Sequence, residues 1–338
     1  MIVEMKKGCT QEEIDEVVQR AKSMGLSVQL NLGTDKTVVA LLGANTGQLP
    51  TETFAVLPSV ESVSRIMKPY KLASREFHPE NSMVSINGVE VGGKRIVVMA
   101  GPCAVESEAQ LMETVEIVQK SGASIVRGGA FKPRTSPFSF QGLEQEGLRL
   151  LSLARERFHI PVITEVVDPH DVGMVASYAD ILQVGARNMQ NYSLLTEVGK
   201  SKKPVLLKRG LSSTIKEWLT AADYILAEGN HQVMLCERGI RTFEDSIRFS
   251  LDITSVPMVK KVSHLPVIVD PSHASGHYSL VPAVAKAAIA AGADGILIEV
   301  HPRPKEALVD GPQALTPSDF DRLMKDLSAI AQAVGRYI

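Results

Sequence analysis

The chain has 338 residues, of which 44% are hydrophobic and 22% charged, proportions typical of a soluble globular protein. Its formal net charge of −2 gives no general attraction to nucleic acid or membrane, so an anion site must be a local cluster of cations. Three cysteines (Cys9, Cys103 and Cys236) are too few for a disulfide framework, and no apolar stretch suits a signal peptide or a membrane span. We therefore expect a cytoplasmic protein without nucleic-acid or membrane partners.

Residues 1–70 predict a small α+β domain of the ferredoxin-like type. The pattern indicates strands at 1–5, 27–32, 37–44 and 60–67, with helices at 10–25 and 50–60. Thr10 and Glu13 have the T-x-x-E spacing of a capping box at the start of the first helix. The resulting order β-α-β-β-α-β is that of the split βαβ fold. Residues 71–94 are predicted to be a linker and a hairpin, since Asn87-Gly88 is a strong hairpin turn signal.

Residues 95–338 predict an α/β fold, a (β/α)8 TIM barrel. Nearly continuous apolar runs, as expected of buried parallel strands, alternate with segments that suit helices. Eight such runs occur: RIVVMAG, SIVRGGA, VITEVV, ILQVGAR, PVLLKRG, QVMLCERG, LPVIVDPS and GILIEVH. A doubly wound open sheet is the competing fold, but no G-x-G-x-x-G follows the first strand. We therefore favour the barrel, whose usual length of about 250 residues also fits.

Cations follow several of the predicted strands, at the end where barrel enzymes carry their chemistry. Most lysines and arginines in loops are simply solvated, but these would lie together and repel one another. The six are Arg127, Lys132, Arg134, Arg187, Lys208 and Arg238. A phosphate carries about −1.5 to −2 charges at neutral pH, so a substrate set with two phosphates and a carboxylate matches this load. The pattern predicts a heavily anionic ligand.

A second set of strand-end residues could hold a metal ion. Its members come from the first, seventh and eighth strand ends, which become neighbours when the barrel closes: Cys103, His273, Glu299 and Asp310. A thiolate, an imidazole and two carboxylates suit Mn²⁺, Fe²⁺, Co²⁺ or Zn²⁺ rather than Mg²⁺ or Ca²⁺. Each residue alone could equally be a core or polar residue. His301 is a possible substitute or supporting partner, whereas Cys236 is expected to be core packing.

Seven motifs in this region resemble the 3-deoxy-D-arabino-heptulosonate-7-phosphate (DAHP) synthase family. They are AGPC at 100–103, KPRTSPFSFQG at 132–142, GARN at 185–188, LLKRG at 206–210, CERGIRTF at 236–243, DPSH at 270–273 and EVHP at 299–302. The chain looks like the type I beta group, some of whose members carry an ACT-like regulatory extension of ferredoxin-like fold. The resemblance spans essentially the whole barrel.

The resemblance implies an enzyme that joins phosphoenolpyruvate to erythrose 4-phosphate in the shikimate pathway. It implies a divalent metal on Cys103, His273, Glu299 and Asp310, and phosphoenolpyruvate on Arg127, Lys132, Arg187, Lys208 and Arg238. Arg134 and Thr135 match the part of the loop that holds the aldose phosphate. The family further suggests a homotetramer, inhibited by tyrosine or phenylalanine bound between the leading domains.

Lys132 is also placed to donate a proton to the new alkoxide, and the surrounding arginines and lysines, together with the metal, are expected to lower its pKa.

Three alternatives stay open at this point. An octulosonate-phosphate synthase shares the barrel and the chemistry but accepts a five-carbon aldose phosphate and carries a K-A-N-R-S type loop where this chain has KPRTS. A non-catalytic amino-acid sensor could also be built on residues 1–70. Those residues could, finally, be only a packing or oligomerisation module.

Overall fold

The computed structural model describes residues 1–33, 36–43, 46–65, 68–134 and 136–338. The chain divides into two compact units, one formed by Met1–Asn81 with Lys261–His264 and the other by Ser82–Lys260 with Leu265–Ile338. None of the helices in these residues is long and apolar enough to cross a membrane.

The first unit contains a four-stranded antiparallel sheet with the order β2-β3-β1-β4. In chain order its elements are β1 (Ile2–Met5), α1 (Gln11–Ser23), β2 (Ser27–Leu32), β3 (Thr37–Leu42), α2 (Glu52–Ala55) and β4 (Val60–Ser64). This is the predicted ferredoxin-like arrangement. The capping box is present, because Thr10 Oγ1 accepts from the Glu13 N–H and the Glu13 carboxylate accepts from the Thr10 N–H.

One helix of this unit is much shorter than predicted. We expected a helix over residues 50–60, but α2 ends at Ala55. Pro58 explains the difference, since proline lacks an N–H and disfavours helical backbone in the residue before it. Apolar side chains of α1, the sheet and this short helix, including the fully buried Phe54, form the core of the unit.

A short hairpin precedes the barrel, formed by β5 (Val84–Ile86) and β6 (Val89–Val91). Asn87 and Gly88 both have positive φ, 46° and 87°, as the predicted tight turn requires. Hairpin residues such as Val84 and Ile86 pack in one cluster with side chains from the early part of the barrel strands, such as Ile125 and Leu206. The hairpin therefore closes the amino-terminal end of the barrel.

Eight parallel strands form the closed barrel predicted from the sequence, paired in chain order. They are β7 (Val97–Gly101), β8 (Ile125–Arg127), β9 (Val162–Val166), β10 (Ile181–Val184), β11 (Val205–Lys208), β12 (Val233–Glu237), β13 (Val267–Val269) and β14 (Gly295–Glu299). The last strand pairs with the first, so that Glu299 lies opposite Gly101. The residues that follow β7, β13 and β14 are thereby brought together.

Helices lie between and after the strands. They are α3 (Glu108–Lys120), α4 (Glu144–Phe158), α5 (Val172–Tyr178), α6 (Tyr192–Lys200), α7 (Ile215–Ala227), α8 (Ser255–Val262), α9 (Pro271–Ser275), α10 (Val281–Ala290) and α11 (Pro317–Ala333). The short helix α9 begins directly after β13, with Asp270 as its N-cap, and carries His273. Cys236 is buried in the barrel core, as predicted.

Candidate active site

A cavity of about 280 Å³ lies among the loops at the carboxyl ends of the barrel strands. It is lined by all six cations selected from the sequence: Arg127, Lys132, Arg134, Arg187, Lys208 and Arg238. Two carboxylates, those of Glu165 and Asp310, also face it, together with His273. Their location follows from the barrel, which gathers the ends of its parallel strands at one face.

The four predicted metal ligands lie together beside this cavity. One ligand atom each of Cys103, His273, Glu299 and Asp310 lies within 4.8 Å of all the others. The Cys103 Sγ is 3.6 Å from Asp310 Oδ2, and His273 Nε2 is 3.3 Å from Glu299 Oε1. Asp310 reaches the group from a left-handed backbone conformation (φ 52°), which aspartate tolerates better than most residues. The set has the composition and spacing of a divalent transition-metal site.

His273 is oriented by Asp270, a residue whose role we did not predict. Asp270 Oδ2 lies 2.8 Å from His273 Nδ1 and also accepts a 2.5 Å hydrogen bond from Lys208 Nζ. Burial lowers the pKa of His273 despite the raising effect of Asp270 and Glu299. The neutral ring then carries its proton on Nδ1 and leaves the Nε2 lone pair facing the other ligands.

Glu299 is fully buried and is held by two neighbours. Arg127 Nη1 donates to Oε1 at 3.0 Å, and Gln313 Nε2 donates to Oε2 at 2.7 Å. Burial by itself would raise the pKa of Glu299, but His273 and Arg127 outweigh it and keep the pKa lowered. The carboxylate is thus charged and fixed in place.

Lys132 links the metal-ligand group to the cavity. Its Nζ lies 3.2 Å from both the Sγ and the carbonyl oxygen of Cys103. Burial, with Glu299, raises the pKa of the Cys103 thiol to about 12, against the lowering effect of Lys132 and Arg127.

The groups of the chain by themselves raise the pKa of Lys132, opposite to the direction that we predicted for the site with its metal. Burial and Arg127 do lower it, but Cys103, Glu299 and Glu165 outweigh them, so that the pKa is raised. The sequence argument counted the cations and the metal of the site and not the thiol and carboxylates around Lys132.

Several guanidinium groups at the cavity have a buried nitrogen without a hydrogen-bond partner in the described part of the chain. These nitrogens are Arg127 Nε, Arg134 Nη1 and Arg238 Nη1. Arg238 also stacks over Phe249, with its Cζ 4.1 Å from the ring centroid, and burial lowers its pKa. Unsatisfied buried donors cost free energy unless an acceptor arrives, so this part of the cavity is suited to an anion.

Two family models match the chain. The one described as the DAHP synthetase I family covers residues 76–333, and the one described as the DAHP synthase ferredoxin-like domain covers residues 1–68. The chain belongs to the DAHP synthetase I family. The resemblance drawn from the seven motifs is therefore confirmed, and the chain is an enzyme of the transferase class.

Relatives within the family agree with this assignment. The chain is 47% identical over 335 residues to the phospho-2-dehydro-3-deoxyheptonate aldolase of Thermotoga maritima, covering 99% of each sequence. A crystal structure of the DAHP synthase from that organism matches 99% of this chain and 98% of that chain, with a TM-score of 0.79. The 2-dehydro-3-deoxyphosphooctonate aldolase of Geobacter sulfurreducens is 34% identical over 266 residues, covering 73% of this chain and 97% of its own.

Among the residues selected from the family motifs, two need separate comment. Thr135 lies outside the described residues. His301 is not part of the metal-ligand group, because its Nε2 faces Glu106 Oε2 at 3.5 Å and its Nδ1 accepts the Arg303 N–H at 3.0 Å. Its ring therefore contacts the loop after β7, which carries Glu106.

Two side chains that contact the predicted metal-ligand residues, Arg248 and Gln313, were not selected from the sequence. Arg248 Nη1 donates to Asp310 Oδ2 at 3.1 Å and to Gln313 Oε1 at 2.7 Å. Gln313 is three residues from Asp310 on one short 3₁₀ turn, Gly311–Gln313 with Asp310 as N-cap. That spacing was a usable signal for Gln313, whereas Arg248 lies in a long irregular loop without periodicity.

Proposed function

We propose that this enzyme condenses phosphoenolpyruvate with D-erythrose 4-phosphate and water to give DAHP and inorganic phosphate. One observation carries the proposal: a cavity lined by seven cations adjoins a group of four metal-ligand atoms. The substrates would bring two phosphates and a carboxylate, which is the charge that such a cavity can balance. The reaction is the first of the shikimate pathway.

The proposed metal site consists of Cys103, His273, Glu299 and Asp310. Its donor chemistry fits Mn²⁺, Fe²⁺, Co²⁺ or Zn²⁺, and the hydrogen bond from His273 to Asp270 is typical of a metal-binding histidine. When bound, the ion would supply Lewis acidity at the aldehyde, activate water or orient the substrate.

We assign different cations to the two proposed substrates. Phosphoenolpyruvate is assigned to the buried end of the cavity, with Arg127, Lys132, Arg187, Lys208 and Arg238 as its ligands. The erythrose 4-phosphate phosphate is assigned to Arg134 and Thr135. Fixing both anions would hold carbon 3 of phosphoenolpyruvate against the aldehyde carbon and replace encounter in solution by reaction within one site.

Lys132 is the proposed proton donor. Carbon 3 of phosphoenolpyruvate adds to the aldehyde carbon, and the aldehyde oxygen takes a proton from Lys132 Nζ. Water then adds to the cationic carbon 2 and gives up one proton, which restores the protonated Lys132. The bond from carbon 2 to the phosphate oxygen breaks, the carbon 2 hydroxyl gives its proton to the leaving phosphate, and carbon 2 becomes the keto group. The raised pKa keeps Lys132 protonated at neutral pH, so the proton is available although it is held more firmly than we predicted.

Phosphate release tests the reaction. We expect purified enzyme to release phosphate only when both substrates are present, to stop with EDTA, and to recover when one of the four ions is added. Lys132→Met is expected to lose turnover while still binding the metal. Retained turnover in that variant would exclude Lys132 as the acid, and phosphate release untouched by EDTA would exclude the metal requirement.

The nearest rival activity uses arabinose 5-phosphate instead of erythrose 4-phosphate. The octulosonate-type relative from Geobacter sulfurreducens matches about three quarters of this chain, and Pro133, which lies between Lys132 and Arg134 in the sequence, lines the cavity. Proline fixes its own backbone angle and shortens the adaptable part of the loop, which favours the smaller aldose. Turnover compared with the two aldose phosphates decides between them. Faster reaction with arabinose 5-phosphate would replace our proposal.

We assign a regulatory role to residues 1–70, with a linker and hairpin at 71–94 and the catalytic barrel at 95–338. Tyrosine or phenylalanine would bind at the leading domains of a homotetramer in the cytoplasm and inhibit the barrel. A relative described as a truncated form of the Thermotoga maritima synthase matches 80% of this chain and 99% of its own, at 45% identity and a TM-score of 0.75. Deleting residues 1 to 70 should leave activity that neither amino acid inhibits; inhibition that persists would refute the role.

A further inference from the structure

Arg248 is the seventh cation at the cavity, and its backbone is fixed to the helix that carries His273. The Phe249 N–H donates to the Ala274 carbonyl at 2.9 Å. Gly276 packs so closely that a Cβ at that position would lie 2.4 Å from the Cβ of Arg248. These contacts hold the backbone at Arg248 against α9, and the guanidinium lies at the end of a long side chain that can rotate.

The guanidinium contacts both parts of the site. It pairs with Asp310 Oδ2 at 3.1 Å and donates to Gln313 at 2.7 Å, while the residue also lines the anion cavity. Its Cζ is 5.9 Å from the centroid of Phe249, the ring over which Arg238 stacks. Arg248 thus contacts the predicted metal ligand Asp310 directly, and it shares the Phe249 ring with Arg238, a predicted ligand of phosphoenolpyruvate.

The Asp310 oxygen that pairs with Arg248, Oδ2, also faces the other predicted metal ligands. The same Oδ2 lies 3.6 Å from Cys103 Sγ and 3.9 Å from His273 Nε2, so it is the oxygen that faces the other metal ligands. A divalent ion bound by that oxygen would neutralise Asp310 and repel the guanidinium. The attraction that holds Arg248 at Asp310 would then be lost.

We propose that Arg248 couples metal binding to anion binding: it balances Asp310 before the metal binds and turns toward the anionic substrate once the metal holds Asp310. This inference rests on the proposed metal site. Linkage makes the coupling reciprocal, so a bound anion that attracts Arg248 also raises the affinity for the metal.

Two of the other cations, Lys208 and Arg127, are less suited to this role. Lys208 and Arg127 are almost fully buried and are paired with Asp270 and Glu299. The side chain of Arg248 is 35% exposed, which leaves room for a long, flexible group to rotate.

A cobalt titration tests the coupling. Co²⁺ binding to a cysteine thiolate gives a charge-transfer absorption, which reports on the metal without an activity assay. The dissociation constant for Co²⁺ is measured without and with saturating phosphoenolpyruvate, and the ratio of the two is the coupling. Wild type, Arg248→Met and Arg241→Met are compared. Arg241 is an exposed arginine of the same loop and does not line the cavity, so it controls for the loss of one positive charge.

We expect the wild-type ratio to exceed that of Arg248→Met by about 5-fold or more, the lower end of common coupling strengths, and Arg241→Met to keep the wild-type ratio. Equal ratios in wild type and Arg248→Met would overturn the inference. Arg248→Gln, which keeps polarity near Gln313, should show the same reduced ratio, and a wild-type ratio in that variant would also overturn it. A wild-type enzyme that binds no Co²⁺ would instead overturn the proposed metal site.

Discussion

The metal-ligand group and the arginines across the cavity differ in how fully their charges are satisfied within the chain. All four predicted ligands already have partners within the chain: His273 has Asp270, Glu299 has Arg127 and Gln313, Asp310 has Arg248, and Cys103 has Lys132. Arg134 and Arg238 each keep a buried nitrogen without a hydrogen-bond partner among the described residues. The metal-ligand residues thus have hydrogen-bond partners within the chain, whereas Arg134 and Arg238 have open donors that a bound anion could satisfy.

This difference has a physical reason. A cluster of carboxylates would repel itself without nearby cations, and metal ligands must also be oriented before the ion arrives. A phosphate has several acceptor oxygens and can satisfy several donors at once, so its site can leave donors open. The metal ligands are therefore hydrogen-bonded within the chain, as are the cations next to them, Arg127 and Lys132. In the described part of the chain, open donors remain on Arg134 and Arg238.

The largest effect is expected from the metal-ligand group itself. Cys103→Ala removes one of four donors, and we expect metal affinity to fall more than about 100-fold, beyond the usual loss from a supporting residue, with activity falling alongside. Equilibrium dialysis with Mn²⁺ or Zn²⁺ measures this. Cys236→Ala is the matched control, since that thiol is buried in the barrel core. Unchanged metal affinity in Cys103→Ala would remove Cys103 from the site.

Loss of Arg238, which carries an open donor, should weaken substrate binding and leave the affinity for the metal unchanged. Arg238→Met deletes a charged hydrogen bond of about 1.5–3 kcal/mol, which predicts a rise of roughly 10- to 100-fold in KM for phosphoenolpyruvate. Arg303→Met, an exposed arginine paired with Glu113, serves as the control. A change in metal affinity as large as the change in KM would break the division between the two groups.

Removing a residue that hydrogen-bonds to a metal ligand should lower the affinity for the metal by an intermediate amount. Gln313→Met keeps the volume but loses the bond to Glu299, and we expect metal affinity to drop about 10-fold, the lower end for such residues. Gln119→Met, whose amide bonds the Phe158 carbonyl elsewhere in the barrel, should bind metal like wild type. Equal losses in both variants would mean that Gln313 acts only on stability, which thermal melting would report.

The smallest effect is expected at Phe249. Its ring stacks under Arg238, an interaction worth about 0.5–2 kcal/mol, so Phe249→Leu should raise KM for phosphoenolpyruvate only several-fold. Phe243→Leu changes a ring on the same loop that is 99% exposed and should have no effect. If Phe249→Leu matched Arg238→Met, the ring would be required to place the guanidinium and not merely to stabilise it.

The fold could be predicted from the sequence because its signals are local. Eight apolar runs with intervening helical segments specify a barrel, and Asn87-Gly88 and the Thr10–Glu13 spacing specify their turn and cap without help from distant residues. The predicted length of α2 was wrong for an equally local reason: the predicted helix included Pro58, and the observed helix ends before it. The residues at the strand ends followed from the fold, because a parallel barrel places all of these ends at one face.

The contacts between those residues could not be predicted in the same way. Arg248 and Asp310 are 62 positions apart, and Lys208 and Asp270 are likewise 62 apart. Only closure of the barrel brings such pairs within hydrogen-bond distance. The effect of the protein groups on the pKa of Lys132 could not be predicted for the same reason, because its direction depends on distances to Cys103, Glu299 and Glu165 that the sequence does not contain.

The sequence by itself thus determined the family, the barrel, the ferredoxin-like sheet and the types of side chain at the strand ends, since these depend on periodicity and short motifs. The tertiary structure decided which charges are paired and which remain open. Pairing depends on distances of about 3 Å between residues far apart in the chain, and a difference of 1 Å decides whether a hydrogen bond forms. That is why Arg248 and Gln313 emerged only from the folded chain.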